Sequence, residues 1–275
     1  MYANKRLGQH FLHDPAVIAR ILAAIAARPG EHLVEIGPGR GALTRPLAAS
    51  GARLTVIELD RGLAAALAAD PALAAVEVIV ADALRTDYTA LAGGAPLRIV
   101  GNLPYNISSP LLFRLLEAAA RIRDLTLMLQ REVVERMVAA PATRAYGRLT
   151  VMLAARCRVE RLFVVGAGAF VPAPKVESAV VRLVPHLVPP FDWGDWELFE
   201  QLVRAGFSAR RKTLRNALQA FADAKTIEAA GLDAGARPGT LAAADYARLS
   251  CLVASRGVAC DFFGDHANHE VSGKE

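Results

Sequence analysis

VEIGPGRGALT, residues 34–44, runs from an apolar strand through a glycine turn into the start of a helix. Gly37, Gly39 and Gly41 allow a ligand to come close to the backbone at such a junction. A tight strand-to-helix turn that holds nothing fits the same residues, so the neighbours have to decide. No GK[ST] follows, which disfavours a phosphate-gripping P-loop. Glu35 precedes the loop; a carboxylate there repels a pyrophosphate but suits a cofactor carrying an ammonium and a sulfonium. Alone, it would be a strand-end acid facing water. Glu58 ends the next strand, RLTVIELD, about 20 residues on, where an acid can bond both ribose hydroxyls of a nucleoside cofactor. The third strand, VEVIVAD, brings Asp82 to the same edge, within reach of an adenine amine, although a lone Asp there is ordinarily a cap. Three acids along one sheet edge fit S-adenosylmethionine better than NAD.

Outward from this junction, strands and helices alternate. HLVEIG, RLTVIELD, VEVIVAD, LRIVGN and LTLMLQ read as buried strands, with GALTRPLAAS and SPLLFRLLEAAA as helices between them. Asp14-Pro15 starts an earlier helix with a capping side chain and a proline at its first position. The pattern predicts a doubly wound α/β sheet of Rossmann-like type. RLFVVG and VESAVVRLVP read as two later strands. After the proline-rich PHLVPPFDWGD the strand signal ends, and WELFEQLVRAGFSARRKTLRNALQAF and LAAADYARLSCLVAS are helical. The expected organisation is a catalytic domain over 1–185, a small all-helical domain over 186–260 and a disordered polar tail over 261–275.

Composition narrows the class. The 275 residues are 53% hydrophobic and 21% charged, enough for one large domain and one small one. No apolar run reaches the roughly 18 residues that cross a bilayer. The N-terminus lacks the apolar core of a signal peptide, so a cytoplasmic protein is expected. Three cysteines and six histidines match no metal-binding spacing, and no metal is expected. The net charge of +5 and a pI near 9.4 are compatible with a polyanionic partner.

VGNLPYN, residues 100–106, ends the fourth strand at the same crevice. An exocyclic adenine N6 is a poor nucleophile because its lone pair is delocalised into the ring. Acceptors for its N–H groups, the Asn102 amide oxygen and a carbonyl of the Leu103-Pro104 turn, favour the pyramidal nitrogen that attacks a methyl group. Pro104 fixes the turn, and Tyr105 offers a flipped base a face to stack on. The bland alternative is a proline turn whose Asn and Tyr serve local packing.

With KRLGQHFLHD, VEIGPGRGALT, VIELD, ADAL, VGNLPYNISSPLL, MLQREVVERM, YGRLTVML, FVPAPKVESAVV and FSARRKTLRNAL in order, the chain resembles the KsgA-type small-subunit rRNA adenine N6,N6-dimethyltransferase family along nearly its whole length. The resemblance implies transfer of two methyl groups to each of two adjacent adenosines, in a hairpin loop near the 3′ end of 16S rRNA. It also implies S-adenosylmethionine as cofactor, a late 30S assembly particle as partner, and a monomeric enzyme. It places Gln9, His10 and Leu12 over the cofactor, with Glu35, Gly37 and Gly39 lining it. Glu58 would hold the ribose, Asp82 and Ala83 the cofactor adenine, Leu59 and Asn102 would also contact the cofactor, and Asn102, Leu103, Pro104 and Tyr105 would hold the target base. Phe170 would supply a second aromatic wall, though a core phenylalanine reads equally well. The family usually has Asn where this chain has His10. Arg210, Arg211, Lys212 and Arg215 form the densest basic cluster, expected on a helix and able to contact phosphates without reading sequence. Lys5, Arg6, Arg144 and Arg148 could extend that footprint. Two alternatives are a silent assembly factor that keeps the fold and a large-subunit rRNA adenine methyltransferase.

Overall fold

The computed structural model describes residues 9–105 and 107–255. In chain order the first unit contains β1 (Phe11–Leu12), α1 (Pro15–Ile25), β2 (His32–Ile36), α2 (Thr44–Ala48), β3 (Arg53–Glu58), α3 (Arg61–Ala68), β4 (Glu77–Val80) and α4 (Tyr88–Ala92). It continues through β5 (Leu97–Asn102), α5 (Ser108–Glu117), β6 (Ile122–Gln130), α6 (Arg131–Met137), α7 (Arg148–Arg156), β7 (Cys157–Val165), β8 (Phe170–Val171) and β9 (Ser178–Pro185). Seven strands form one sheet in the order β4-β3-β2-β5-β6-β9-β7, while β1 and β8 pair separately. The strands from β2 to β6 are mutually parallel, and β9 and β7 add an antiparallel edge. The strand order reverses between β2 and β5, and an open α/β sheet forms its binding crevice at that switch point.

Side-chain alternation divides the sheet between two cores. Val34 and Ile36 of β2 join Ile99, Leu127, and Leu111 and Leu115 of α5 on one face. Leu33 joins Ile21 and Ile25 of α1, Leu54, Val56 and Val100 on the other. Period-two burial against helices on both faces gives the three-layer architecture expected from the sequence. Asp14 caps α1 as anticipated, accepting the N–H groups of Ala16 and Val17, with Pro15 at the first turn. The helix read over GALTRPLAAS is shorter than expected. Residues 40–43 are turns, because Gly41 sits at φ +79° and the chain must bend before α2 can begin.

The second unit starts at Phe191. The division falls five residues beyond the 185/186 boundary expected from sequence, since the His186 N–H still bonds the Arg156 carbonyl. This unit holds α8 (Trp196–Ser208), α9 (Leu214–Ala217), α10 (Ala224–Ala229) and α11 (Ala243–Ser255) around buried Phe199, Leu202, Leu214, Ile227, Tyr246 and Leu249. The long helix read through FSARRKTLRNAL is interrupted. α8 ends at Ser208, and the first N–H groups of α9 bond the carbonyls of Ala236 and Ala234 from a later loop. Arg210, Arg211 and Lys212 therefore lie in the connecting turn, and only Arg215 lies on a helix. The tail expected over 261–275 lies outside the described residues.

Candidate active site

Parallel register brings four strand ends to one edge. Ile36 pairs with Ile57 on one side and Gly101 on the other, Glu58 pairs with Val80, and Asn102 pairs with Met128. The residues that follow these pairs, or end them, line a single crevice: Gly37 to Arg40, Glu58 and Leu59, Ala81 to Ala83, and Asn102 to Tyr105, with Gln9 to Leu12 alongside. Every cofactor residue expected from sequence lies in this lining. Gly101, overlooked in the sequence, makes the geometry possible. A Cβ there would sit 2.6 Å from the Ile36 carbonyl, so any side chain would push β5 away from β2 where the crevice opens.

The acids at the edge differ in environment. Glu35 is 2% exposed, and its Oε2 has no hydrogen-bond partner. Burial pushes its pKa up to about 7; the Thr44 hydroxyl opposes this and the Glu58 charge adds to it. Glu58 is also shifted upward by burial, although its carboxylate accepts the Asp60 N–H at 2.9 Å and the Gly39 N–H at 3.2 Å. The second bond holds the glycine loop against the end of β3. Asp82 Oδ1 accepts the Leu84 N–H and so caps the turn after β4. The Ala83 carbonyl is held by the buried Tyr88 hydroxyl at 2.9 Å. Leu59, 52% exposed, adds an apolar surface beside them.

These features suit the cofactor expected from the sequence. A sealed carboxylate oxygen with no donor calls for a cation or a hydrogen-bond donor, and two neighbouring acids would repel a pyrophosphate. Gly39 has φ +58°, and a Cβ there would lie 3.1 Å from the Phe11 ring, so the glycine leaves room for the N-terminal segment above the loop. Phe11 is a second residue that sequence reasoning missed. Its ring also lies under the Arg40 guanidinium, 4.4 Å from ring centroid to Cζ. β1 is anchored by pairing Phe11 with Val171 and Leu12 with Phe170. Gln9 Nε2 donates to Asp60 Oδ2 at 3.3 Å.

At the other half of the crevice, the Asn102 amide donates to the His10 carbonyl at 3.1 Å. Leu103 is buried, and its backbone N–H bonds the Met128 carbonyl. The Pro104 carbonyl already accepts from the Ile107 N–H and the Ser108 hydroxyl. Tyr105 is fixed through its hydroxyl, 2.8 Å from Ser178 Oγ, and burial shifts its pKa upward. Phe170, read as a second wall for the base or a core phenylalanine, lies outside the crevice lining. It is 2% exposed and packs in the core with Leu12, Ile21 and Val180, because pairing β8 with β1 turns its ring inward.

The expected basic footprint is distributed over both units. Arg210, Arg211, Lys212 and Arg215 are exposed. Arg144 is exposed in the bend before α7, while Arg148 is half-buried with its guanidinium 5.7 Å from the centroid of Phe113. Lys5 and Arg6 lie outside the described residues. Among the described residues no helix is long and apolar enough to cross a membrane, and no group of three His, Cys, Asp or Glu side chains could hold a metal.

Residues 1–254 match the family model described as ribosomal RNA adenine dimethylase. The chain is 54% identical over 250 residues to ribosomal RNA small subunit methyltransferase A of Xanthomonas campestris pv. campestris (strain B100), covering 90% of this chain and 95% of that protein. The protein of the same name from Pseudomonas putida (strain KT2440 and its equivalents) is 53% identical over 252 residues, with 90% and 94% covered. Among solved structures, a dimethyladenosine transferase from Plasmodium falciparum superposes with a TM-score of 0.75 at 24% identity, covering 90% of this chain and 98% of that one. The 23S rRNA methyltransferase ErmE gives a TM-score of 0.71 at 30% identity, covering 89% and 99%.

Proposed function

Because the chain belongs to the ribosomal RNA adenine dimethylase family, we propose that its crevice dimethylates N6 of two adjacent adenosines in the 3′ hairpin loop of 16S rRNA, within the 30S particle. The observation that carries this reading is the meeting of two half-sites at one switch point: buried Glu35 and Glu58 on one side, Asn102 to Tyr105 on the other. S-adenosylmethionine supplies an electrophilic methyl group on a sulfonium. Glu35 and Glu58 offer negative charge and acceptors to an ammonium and to ribose hydroxyls, while Leu59, Asp82 and Ala83 offer an apolar wall and an acceptor to an adenine.

For the first transfer Asn102 Oδ1 and the Leu103 carbonyl each take an N–H of N6, and for the second the one remaining N–H is held by one of them. This draws the nitrogen out of conjugation and keeps its lone pair free for attack. The Tyr105 ring stacks on the base, and its bond to Ser178 holds the phenol in place. The exposed cations of the second unit supply phosphate contacts that position RNA without reading its sequence. The enzyme acts as a cytoplasmic monomer, and its second unit is the RNA-contacting domain. Similarity to ErmE favours a second reading, methylation of large-subunit RNA, but identity of 54% to the small-subunit enzymes against 30% supports the first.

The test is transfer of radiolabelled methyl from S-adenosylmethionine to unmodified small and large ribosomal particles, followed by nucleoside analysis, for the wild type and Asn102→Ala. Label is expected as N6,N6-dimethyladenosine in the small particle, reduced about 100-fold or more by the substitution. Label in the large particle alone would establish the second reading. Binding to the small particle with no transfer to either would identify a silent assembly factor.

A further inference from the structure

His10 touches two of the residues assigned to the acceptor base, Asn102 and Tyr105, and also lines the crevice. Its Nδ1 lies 2.7 Å from the Pro172 carbonyl oxygen. A carbonyl can only accept, so Nδ1 is the donor in this bond. The same ring stacks on Tyr105, with centroids 5.6 Å apart and planes inclined by 27°. Its backbone carbonyl receives the Asn102 side-chain N–H. That bond settles which end of the amide is nitrogen, and it leaves Oδ1 to serve as the acceptor for N6. One residue near the N-terminus thus sets the ring, the amide orientation and the segment after β8, all remote from it in sequence.

We propose that His10 is a positioning residue for the acceptor adenine: its imidazole, pinned to Pro172, backs one face of Tyr105 and leaves the other as the stacking surface for the base. Tyr105 is then held at two points, by Ser178 at the hydroxyl and by His10 across the face. A tyrosine restrained in this way loses little further freedom when a base stacks on it. An asparagine at this position could donate to Pro172 but has no ring to lay on Tyr105. The stacking role therefore belongs to this chain's histidine.

The inference rests on the adenine-methylation reading, and one experiment separates the two. Methyl transfer is measured with cofactor and small ribosomal particle varied in turn, alongside equilibrium binding of S-adenosylmethionine, for wild type, His10→Ala, His10→Asn and His10→Phe. His10→Ala is expected to lower kcat or raise the particle KM by roughly tenfold, the range seen when an aromatic stacking partner is removed, a larger change than any in cofactor Kd, and saturable cofactor binding certifies the fold. His10→Phe, which keeps a ring, is expected to recover more than His10→Asn. The role of His10 is overturned if the loss falls on cofactor Kd alone, if Asn rescues better than Phe, or if His10→Ala is fully active. A wild type that fails to methylate adenine N6 overturns the underlying reading instead.

Discussion

Glu35→Gln is expected to make the ligand-free protein more stable at pH 8 and a poorer binder of S-adenosylmethionine. The side chain is 2% exposed, and burial raises its pKa from 4.5 to about 7, against the pull of Thr44 and with the push of Glu58. Between these two values the folded protein holds a proton that the unfolded chain has released. Stability from this group therefore falls as pH rises through the window from 4.5 to 7, and the cost is complete above it. A gap of that size corresponds to roughly 3 kcal/mol. Glutamine imitates the protonated acid and removes the cost. In a protein of this size the melting temperature at pH 8 should rise by roughly 6–12 °C, and by far less at pH 5. Calorimetric melts at pH 5, 6.5 and 8 measure the effect. Titration with S-adenosylmethionine at pH 8 should show affinity reduced about tenfold, since the neutral amide no longer attracts the ammonium. A variant that melts no higher than wild type at pH 8, or a gain that does not grow between pH 5 and 8, would refute the assignment of a costly buried carboxylate.

Two further substitutions probe the glycine loop and the basic turn. Gly39→Ala places a methyl 3.1 Å from Phe11 at a backbone conformation of φ +58°; about 1–3 kcal/mol of strain should displace the Gln9 to Leu12 segment and weaken cofactor binding about tenfold, as calorimetric titration would measure. Unchanged affinity would mean that the segment does not cover the cofactor. Neutralising Arg210, Arg211, Lys212 and Arg215 should reduce the slope of log Kd for RNA against log salt by about 0.7–0.9 for each phosphate that these cations had neutralised. Filter binding across a salt series gives the slope directly, and an unaltered slope would remove this turn from the RNA interface.

Local chemistry was legible wherever a residue's role depends on its immediate neighbours. Asp14-Pro15 reads as a helix start because the cap and the proline act within one turn. Glu35, Glu58, Asp82 and Asn102 each follow or end an apolar run, and a parallel sheet with short loops can only bring such ends to one edge. Phe170 was not decidable in this way. FVPAP offers an aromatic ring without its direction, and pairing with β1, far away in the chain, turns that ring into the core.

The same division holds for the helical unit and for His10. FSARRKTLRNAL has helical spacing throughout, yet the carbonyls of Ala234 and Ala236 capture the N–H groups that a continuous helix would have used, and the basic cluster becomes a turn. His10 reads in the sequence as a departure from a family pattern. Only folding places its ring on Tyr105 and its Nδ1 on Pro172. The sequence by itself determined the elements, the acidic edge and the chemistry of the two half-sites, because hydrophobic period, capping and turn formation act over a few residues. Tertiary structure alone decided which rings face the crevice, which carboxylate is sealed from water and what holds Tyr105, because burial and stacking depend on partners that the chain supplies from far away.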